Sequence, residues 1–302
     1  MFPRRRAGLC RSGVVSDPQG KVWFLGLMLT RVCIGFVVVS AGLAGCGLPY
    51  DTSDRYQRGL VLVLTGVEGR SPLNENICHG LNDGGVNWAI ELVDWTVHVP
   101  GAYLVNLRNQ ARNRRKAEEI AQRVVRYQMA FPHNPVVLVG QSGGGAMAVW
   151  AAEALPPGAK VDGLVLVSVS LSPGYRLDVA LERSRRGIVS FCSRRDWVML
   201  GAGTTVWGTM DGQHSPAAGR VGFQRPAEGR PALLYQRLFE IPWTAAMSEC
   251  WPGGQHLTAG SRGFAERYLA PFVLAQRWDE WTVQRILAEP GAVQPADPMR
   301  LR

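Results

Sequence analysis

A mainly parallel α/β sheet with helices on both faces is the fold class this sequence predicts, on three observations. Short aliphatic runs recur without polar alternation, at residues 60–64, 136–139 and 164–169. Such runs suit strands covered on both sides, as parallel strands usually are. Helical patterns separate the runs: across 112–130, Ala117, Ile120, Ala121, Val124 and Val125 share one face and charges fill the other. A glycine-rich turn at 140–146 then joins one run to the next helical pattern. Strands alternating with helices build right-handed crossover units, and those pair strands in parallel.

Each element follows from local signals. Residues 51–58 read as a polar linker, and 60–64 as the first strand. A helix over 71–83 opens at Ser-Pro and stops at Gly84-Gly85. A second strand is predicted at 90–95, followed by the 112–130 helix, which is ended by Phe131–Pro135. The third strand, 136–139, leads into a helix over 143–155. Strands follow at 164–169 and 188–191, with a helix around 177–185 between them. A later strand is placed at 233–241 and a closing helix at 261–274. Residues 204–231 are rich in Gly and Pro and read as an irregular excursion able to roof a pocket, where Trp207, Trp243 and Trp251 are candidate lining residues. Little room exists between 169 and 187 for a large cap domain. The folded domain is expected over 59–288, with a loose Pro-rich tail at 289–302.

Composition narrows the function. The chain has 302 residues, of which 46% are hydrophobic and 19% charged, as in an ordinary globular protein. The net charge of +9 is uneven: six of the 33 basic residues and one of the 24 acidic ones precede residue 46, leaving 27 against 23. A domain so near balance is a poor match for a phosphate backbone, so no nucleic-acid partner is expected.

Residues 32–45 are almost wholly apolar or small and follow Arg31, the pattern of an export signal. The run closes in Leu43-Ala44-Gly45-Cys46, which resembles the lipobox of bacterial lipoproteins. That resemblance implies a signal peptide over 1–45, a Cys46 that is acylated after cleavage, and a membrane anchor in the cell envelope. Gly47 stands where some sorting systems need Asp for inner-membrane retention, which points to the outer membrane. Met28 opens a more conventional signal, so the start is expected there. The alternative is an uncleaved anchor, although the clean apolar run is short for a span. Cys78, Cys192 and Cys250 remain, and their spacing fits no zinc site.

The most informative segment is Val136-Val-Leu-Val-Gly140-Gln-Ser142-Gly-Gly144-Gly-Ala146. It sets G-x-S-x-G between a strand and a helix, the context in which that motif has mechanical meaning. The turn would lift the Ser142 hydroxyl above the sheet edge. The helix N-terminus would aim its free N–H groups at the same place, and Gly143 would offer one of them to a developing oxyanion. A competing reading takes Gly143-Gly-Gly145-Ala-Met-Ala148 as a loose dinucleotide-binding fingerprint, but no acid ends the next strand.

The segment resembles the nucleophile elbow of the α/β-hydrolase superfamily. By element order the resemblance runs from about residue 60 to 274. It implies an α/β-hydrolase-like sheet, a Ser–acid–His triad in that chain order, ester hydrolysis as the commonest chemistry, and no metal or organic cofactor. A serine hydroxyl needs a base. His79, His98 and His133 precede Ser142, which leaves His214 and His256. His256 follows the last predicted strand in a Gly-rich loop and is the expected base, with His214 as alternative. Asp196 follows the 188–191 strand and is the expected acid, with Asp211 as runner-up. The second oxyanion N–H is expected from Val67 or Glu68, in the loop after the first strand. That loop lacks the His-Gly form of many esterases, and Glu68 is expected to point away or pair with Arg70. The overall expectation is a lipid-anchored serine hydrolase acting on a small-molecule or lipid-like acyl substrate. A non-catalytic surface binding protein on the same scaffold is the alternative.

Overall fold

The computed structural model describes residues 48–99 and 101–292. The expected export signal, Cys46 and the last ten residues lie outside the described residues. Six parallel strands form one sheet: β1 (Leu60–Leu64), β2 (Ala89–Val93), β3 (Val136–Gln141), β4 (Gly163–Val167), β5 (Ile188–Cys192) and β6 (Leu238–Pro242). Their spatial order is β2-β1-β3-β4-β5-β6. β1 aligns Leu60 with Val136 and Leu64 with Gly140 on β3.

The helices are α1 (Pro72–Asp83), α2 (Ala102–Arg108), α3 (Gln110–Ala130), α4 (Gly143–Glu153) and α5 (Asp178–Glu182). A sixth, α6, runs as three consecutive pieces, Arg262–Phe264, Ala265–Leu269 and Ala270–Leu274, the middle one π-helical. The last, α7, covers Glu280–Ala288. The strands explain why both faces are covered. Leu60, Leu62, Leu138, Leu164 and Leu166 pack under α3, α4 and α5. Val61, Val63, Val137, Val139, Val165 and Val167 face α1 and α6. Alternate side chains of a strand point to opposite faces, so every residue of β1 is buried.

Three local differences from the sequence expectation stand out. Residues 51–58 are docked, not a free linker: Ser53–Tyr56 forms a helical turn. The Tyr56 hydroxyl donates to Glu91 at 2.7 Å, and Ile90 N–H donates to the Tyr50 carbonyl at 3.0 Å. The last strand starts at Leu238 rather than 233. Gly229–Leu234 is helical, with Leu233 turned to solvent, and buried Tyr235 accepts from Leu177 N–H at 2.8 Å. The helix α2 was not expected, because its core residue Asn106 is polar. Between β5 and β6 the chain makes short helical pieces, π-helical Val198–Gly203, then Thr204–Trp207, Ala218–Val221 and Gly229–Leu234, and no large cap domain.

Among the described residues no helix is long and apolar enough to cross a membrane. The strand order reverses at β1: the chain steps outward to β2 and returns on the other side as β3. Parallel sheets open a crevice beyond the carboxyl ends of the strands at such a reversal. The loops after β1 and β3 meet there.

Candidate active site

Ser142 stands between β3 and α4 with φ 55° and ψ −121°. A non-glycine residue rarely adopts this conformation, and it persists where surrounding bonds over-determine it. Here they do. Ser142 N–H donates to the Val167 carbonyl at 2.9 Å, and its own carbonyl accepts from Ser170 and Gly145 N–H, both at 3.1 Å. The flanking glycines are dictated by close approach. A Cβ on Gly140 would lie 2.2 Å from the Gly144 carbonyl oxygen. One on Gly144 would lie 2.1 Å from that of Leu64. The first N–H groups of α4 have no intrahelical acceptor, and the helix dipole concentrates positive potential at Ser142.

Val67, in the loop after β1, packs against the same turn. Its N–H has no acceptor among the described residues, and its nitrogen lies 3.3 Å from where a Gly143 Cβ would be. The Gly143 and Val67 N–H groups are therefore neighbours across the mouth of the turn. Buried Asn106 of α2 fixes this loop, donating to the Val67 carbonyl at 3.0 Å and accepting from Val97 N–H at 3.0 Å. Neither Asn106 nor its role was predicted, since only the folded chain brings it to Val67.

His256 opens the 3₁₀ turn His256–Thr258. Asp196 follows β5 and is almost fully buried. His256 Nδ1 lies 2.5 Å from Asp196 Oδ2. The other carboxylate oxygen accepts from Leu200 N–H at 3.3 Å. Gln141, adjacent to Ser142, donates to the His256 carbonyl at 2.9 Å and so ties the histidine turn to the serine turn. Ser142 and His256 line one cavity of about 20 Å³ together with Val67, Tyr103, Leu107 and Leu200. No hydrogen bond joins Ser142 Oγ to the imidazole among the described residues; in resting sites such bonds are often long and tighten around substrate.

Charge around the imidazole follows from burial and two carboxylates. Burial works to lower the His256 pKa, but the Asp196 charge and hydrogen bond, with a further contribution from Glu68, hold it above the ordinary histidine value. Among the described residues Glu68 accepts from Ser71 Oγ at 3.3 Å and Asn74 Nδ2 at 3.4 Å, while Arg70 Nε donates to Glu75 at 2.7 Å. Burial pushes the Glu68 carboxyl up, against the pull of His256, Ser71 and Asn74.

The alternatives fall elsewhere. Asp211 accepts from Ser172 N–H and Oγ at 2.8 and 2.6 Å and from Thr209 Oγ1 at 2.7 Å. His214 is exposed, 3.2 Å from the Thr205 carbonyl. None of the three tryptophans considered for the pocket lines it: Trp251 is packed on Phe264, Trp243 lies under the Arg195 guanidinium, and Trp207 packs on the core. Cys78 and Cys192 are free thiols, pushed up to about 12 and about 11 by burial, and so are poor nucleophiles. Among the described residues no group of three or more His, Cys, Asp or Glu is placed to hold a metal ion.

No family model matches the chain. No curated protein matches it either. Similar solved structures include a Xanthomonas campestris pv. campestris protein described as a hydrolase of the alpha/beta superfamily. It is 19% identical, with 69% of this chain and 97% of that one covered and a TM-score of 0.34. Esterase B from Lactobacillus rhamnosis, in a structure with a tributyrin phosphonate, is 11% identical over 90% of this chain and 94% of that one, with a TM-score of 0.38. With such scores these are distant likenesses.

Proposed function

We propose that this chain is a serine hydrolase of the α/β-hydrolase type, acting on a carboxylic ester through Ser142, His256 and Asp196. The supporting observation is the convergence of three separate chain segments. A serine held at φ 55° shares a cavity wall with an imidazole whose other nitrogen is 2.5 Å from a buried carboxylate. Structural ion pairs also bury histidines, but they do not need a strained serine beside them.

In this reading His256 Nε2 takes the Ser142 proton as Oγ attacks the ester carbonyl. Asp196 fixes the tautomer and stabilises the imidazolium. Gly143 and Val67 N–H groups receive the oxyanion, where pre-aimed donors act most strongly. The imidazolium then gives its proton to the departing alcohol. Water enters and its oxygen attacks the acyl carbonyl as His256 takes its proton; the imidazolium returns that proton to Ser142 Oγ as the acyl–serine bond breaks, which releases the carboxylic acid and restores the hydroxyl.

The lipobox-like Leu43-Ala44-Gly45-Cys46 supports a second part of the proposal, anchorage of the enzyme in the cell envelope through an acylated Cys46. The outer membrane is the membrane proposed. Mass spectrometry of the membrane fraction tests this by looking for an acylated Cys46 N-terminus; an unmodified chain still carrying residues 32–45 overturns it.

Fluorophosphonate labelling tests the catalytic reading. Labelling of the native chain that disappears in Ser142→Ala is expected. A folded native chain that takes no label overturns the enzyme reading and leaves a binding protein on this scaffold.

A further inference from the structure

The cavity beside Ser142 is small, and its walls are pinned. Its volume of about 20 Å³ exceeds the ~10–15 Å³ that holds one water-sized group and leaves no room for a chain. Its lining is chiefly apolar, with Tyr103 and Leu107 from α2 on one side and Met199, Leu200 and Thr204 on the other. A narrow cavity in a loose loop would say little about size. This one is braced at each wall. Leu200 N–H donates to Asp196, and its carbonyl accepts from Ala217 N–H at 2.9 Å and Thr204 Oγ1 at 2.9 Å. The neighbouring segment is held by Asp211, which bonds Ser172 and Thr209, and by Met210 N–H on the Ser170 carbonyl at 2.8 Å. On the opposite wall, buried Asn106 and Asn113 lock α2, the latter donating to the Asn106 carbonyl at 2.6 Å.

The two halves of an ester make different demands on such a site. The acyl group stays on Ser142 through both steps and must be housed while water arrives. The alcohol departs after the first step and needs an open path. The narrow space between the two braced walls, open in part to solvent, is therefore assigned as the acyl site. We propose that the enzyme is selective for acetyl esters, with Leu200 and Met199 as the residues that exclude longer acyl chains. This rests on the serine-hydrolase reading above. Cleavage releases acetate and the free alcohol and consumes one water, with no other reactant.

The test is a chain-length series on the purified full chain with p-nitrophenyl acetate, butyrate and octanoate. The expected kcat/KM falls about ten-fold or more from acetate to butyrate and falls again at octanoate, the scale on which pockets discriminate methylenes. Leu200→Ala, and separately Met199→Ala in case the first fails to fold, should raise the butyrate-to-acetate ratio several-fold. Fluorophosphonate labelling with butyrate or octanoate hydrolysed as well as acetate overturns the size selection and leaves the serine reading intact. An unchanged ratio in both folded variants removes Leu200 and Met199 from the role. No label and no turnover overturn the reading and this inference together.

Discussion

The two sides of the candidate site are built by different means. The serine side is a strand, a one-residue bend and a helix, forced by glycines whose missing Cβ atoms let backbone touch backbone. The opposite side is an irregular stretch of π, α and 3₁₀ turns after β5, shaped by side-chain and backbone hydrogen bonds from Asp196, Thr204 and Asp211. The first arrangement fixes where the Ser142 hydroxyl stands. The second fixes the space in front of it. The position of Ser142 is thus secured by short-range sterics, and cavity size by longer-range polar ties.

Asp196→Asn should break the contrast most severely, because Asp196 belongs to both sides. Loss of the carboxylate should lower kcat about 10⁴-fold, as when the acid of a comparable triad is amidated. Steady-state hydrolysis of p-nitrophenyl acetate reads this out. The pH dependence has a definite sign. Burial alone would lower the His256 pKa, but Asp196 and Glu68 raise it, so the proton is retained to higher pH than in a free histidine and the acid limb of kcat/KM is displaced upward. In Asp196→Asn that limb should move down. A raised folded pKa also means that the pair contributes its full stability below the usual histidine range of about 6.5, and that this is lost as pH rises through the folded value. The urea midpoint difference between native and Asp196→Asn proteins should therefore shrink toward alkaline pH.

Gly144→Ala tests the steric side alone. Its Cβ would come 2.1 Å from the Leu64 carbonyl oxygen and 2.6 Å from that of Thr65, both backbone atoms. Relief requires β1 and α4 to separate, at a cost of about 1–3 kcal/mol or more. Chemical denaturation should show the loss, and labelling of Ser142 should fall even in the folded fraction.

Asp211→Asn probes the polar side with less force. The amide keeps one acceptor and loses charge-assisted bonds to Ser172 and Thr209, a loss of about 1–2 kcal/mol. Denaturant midpoints should drop accordingly while Ser142 still takes a fluorophosphonate.

The smallest effect is expected from Glu68→Gln. Burial raises the Glu68 carboxyl, so its contribution to stability is favourable below the usual carboxylate range and is lost as pH rises through the folded pKa. Gln imitates the protonated form. A small rise in melting temperature is expected at neutral pH but not in acid, together with a slight downward move of the acid limb, because one of the two carboxylates raising His256 is gone.

What could be read in advance divides along the same line. The aliphatic strands and G-x-S-x-G were legible because each is a property of adjacent residues. The 60–64 strand matched to the residue, and the other early strands to within two or so. Helix α2 and the start of β6 were not, because long-range contacts decide them. Asn106 is polar in sequence and becomes a buried anchor once Val67 lies beside it. Leu233 and Leu234 suggest a strand, yet Tyr235 is drawn into the core by Leu177 and the residues before it coil. Gln141 carried no signal beyond its place in the motif, and its bond to the His256 carbonyl spans 115 residues.

The Asp196 carboxylate has one oxygen on His256 and the other on Leu200 N–H. In the proposed enzyme, turnover and acyl choice would therefore share an atom group and could not drift independently at that position. Selection for bulkier acyl groups would have to work through the far wall, on α2, where loosening a helix leaves the base in its proper orientation.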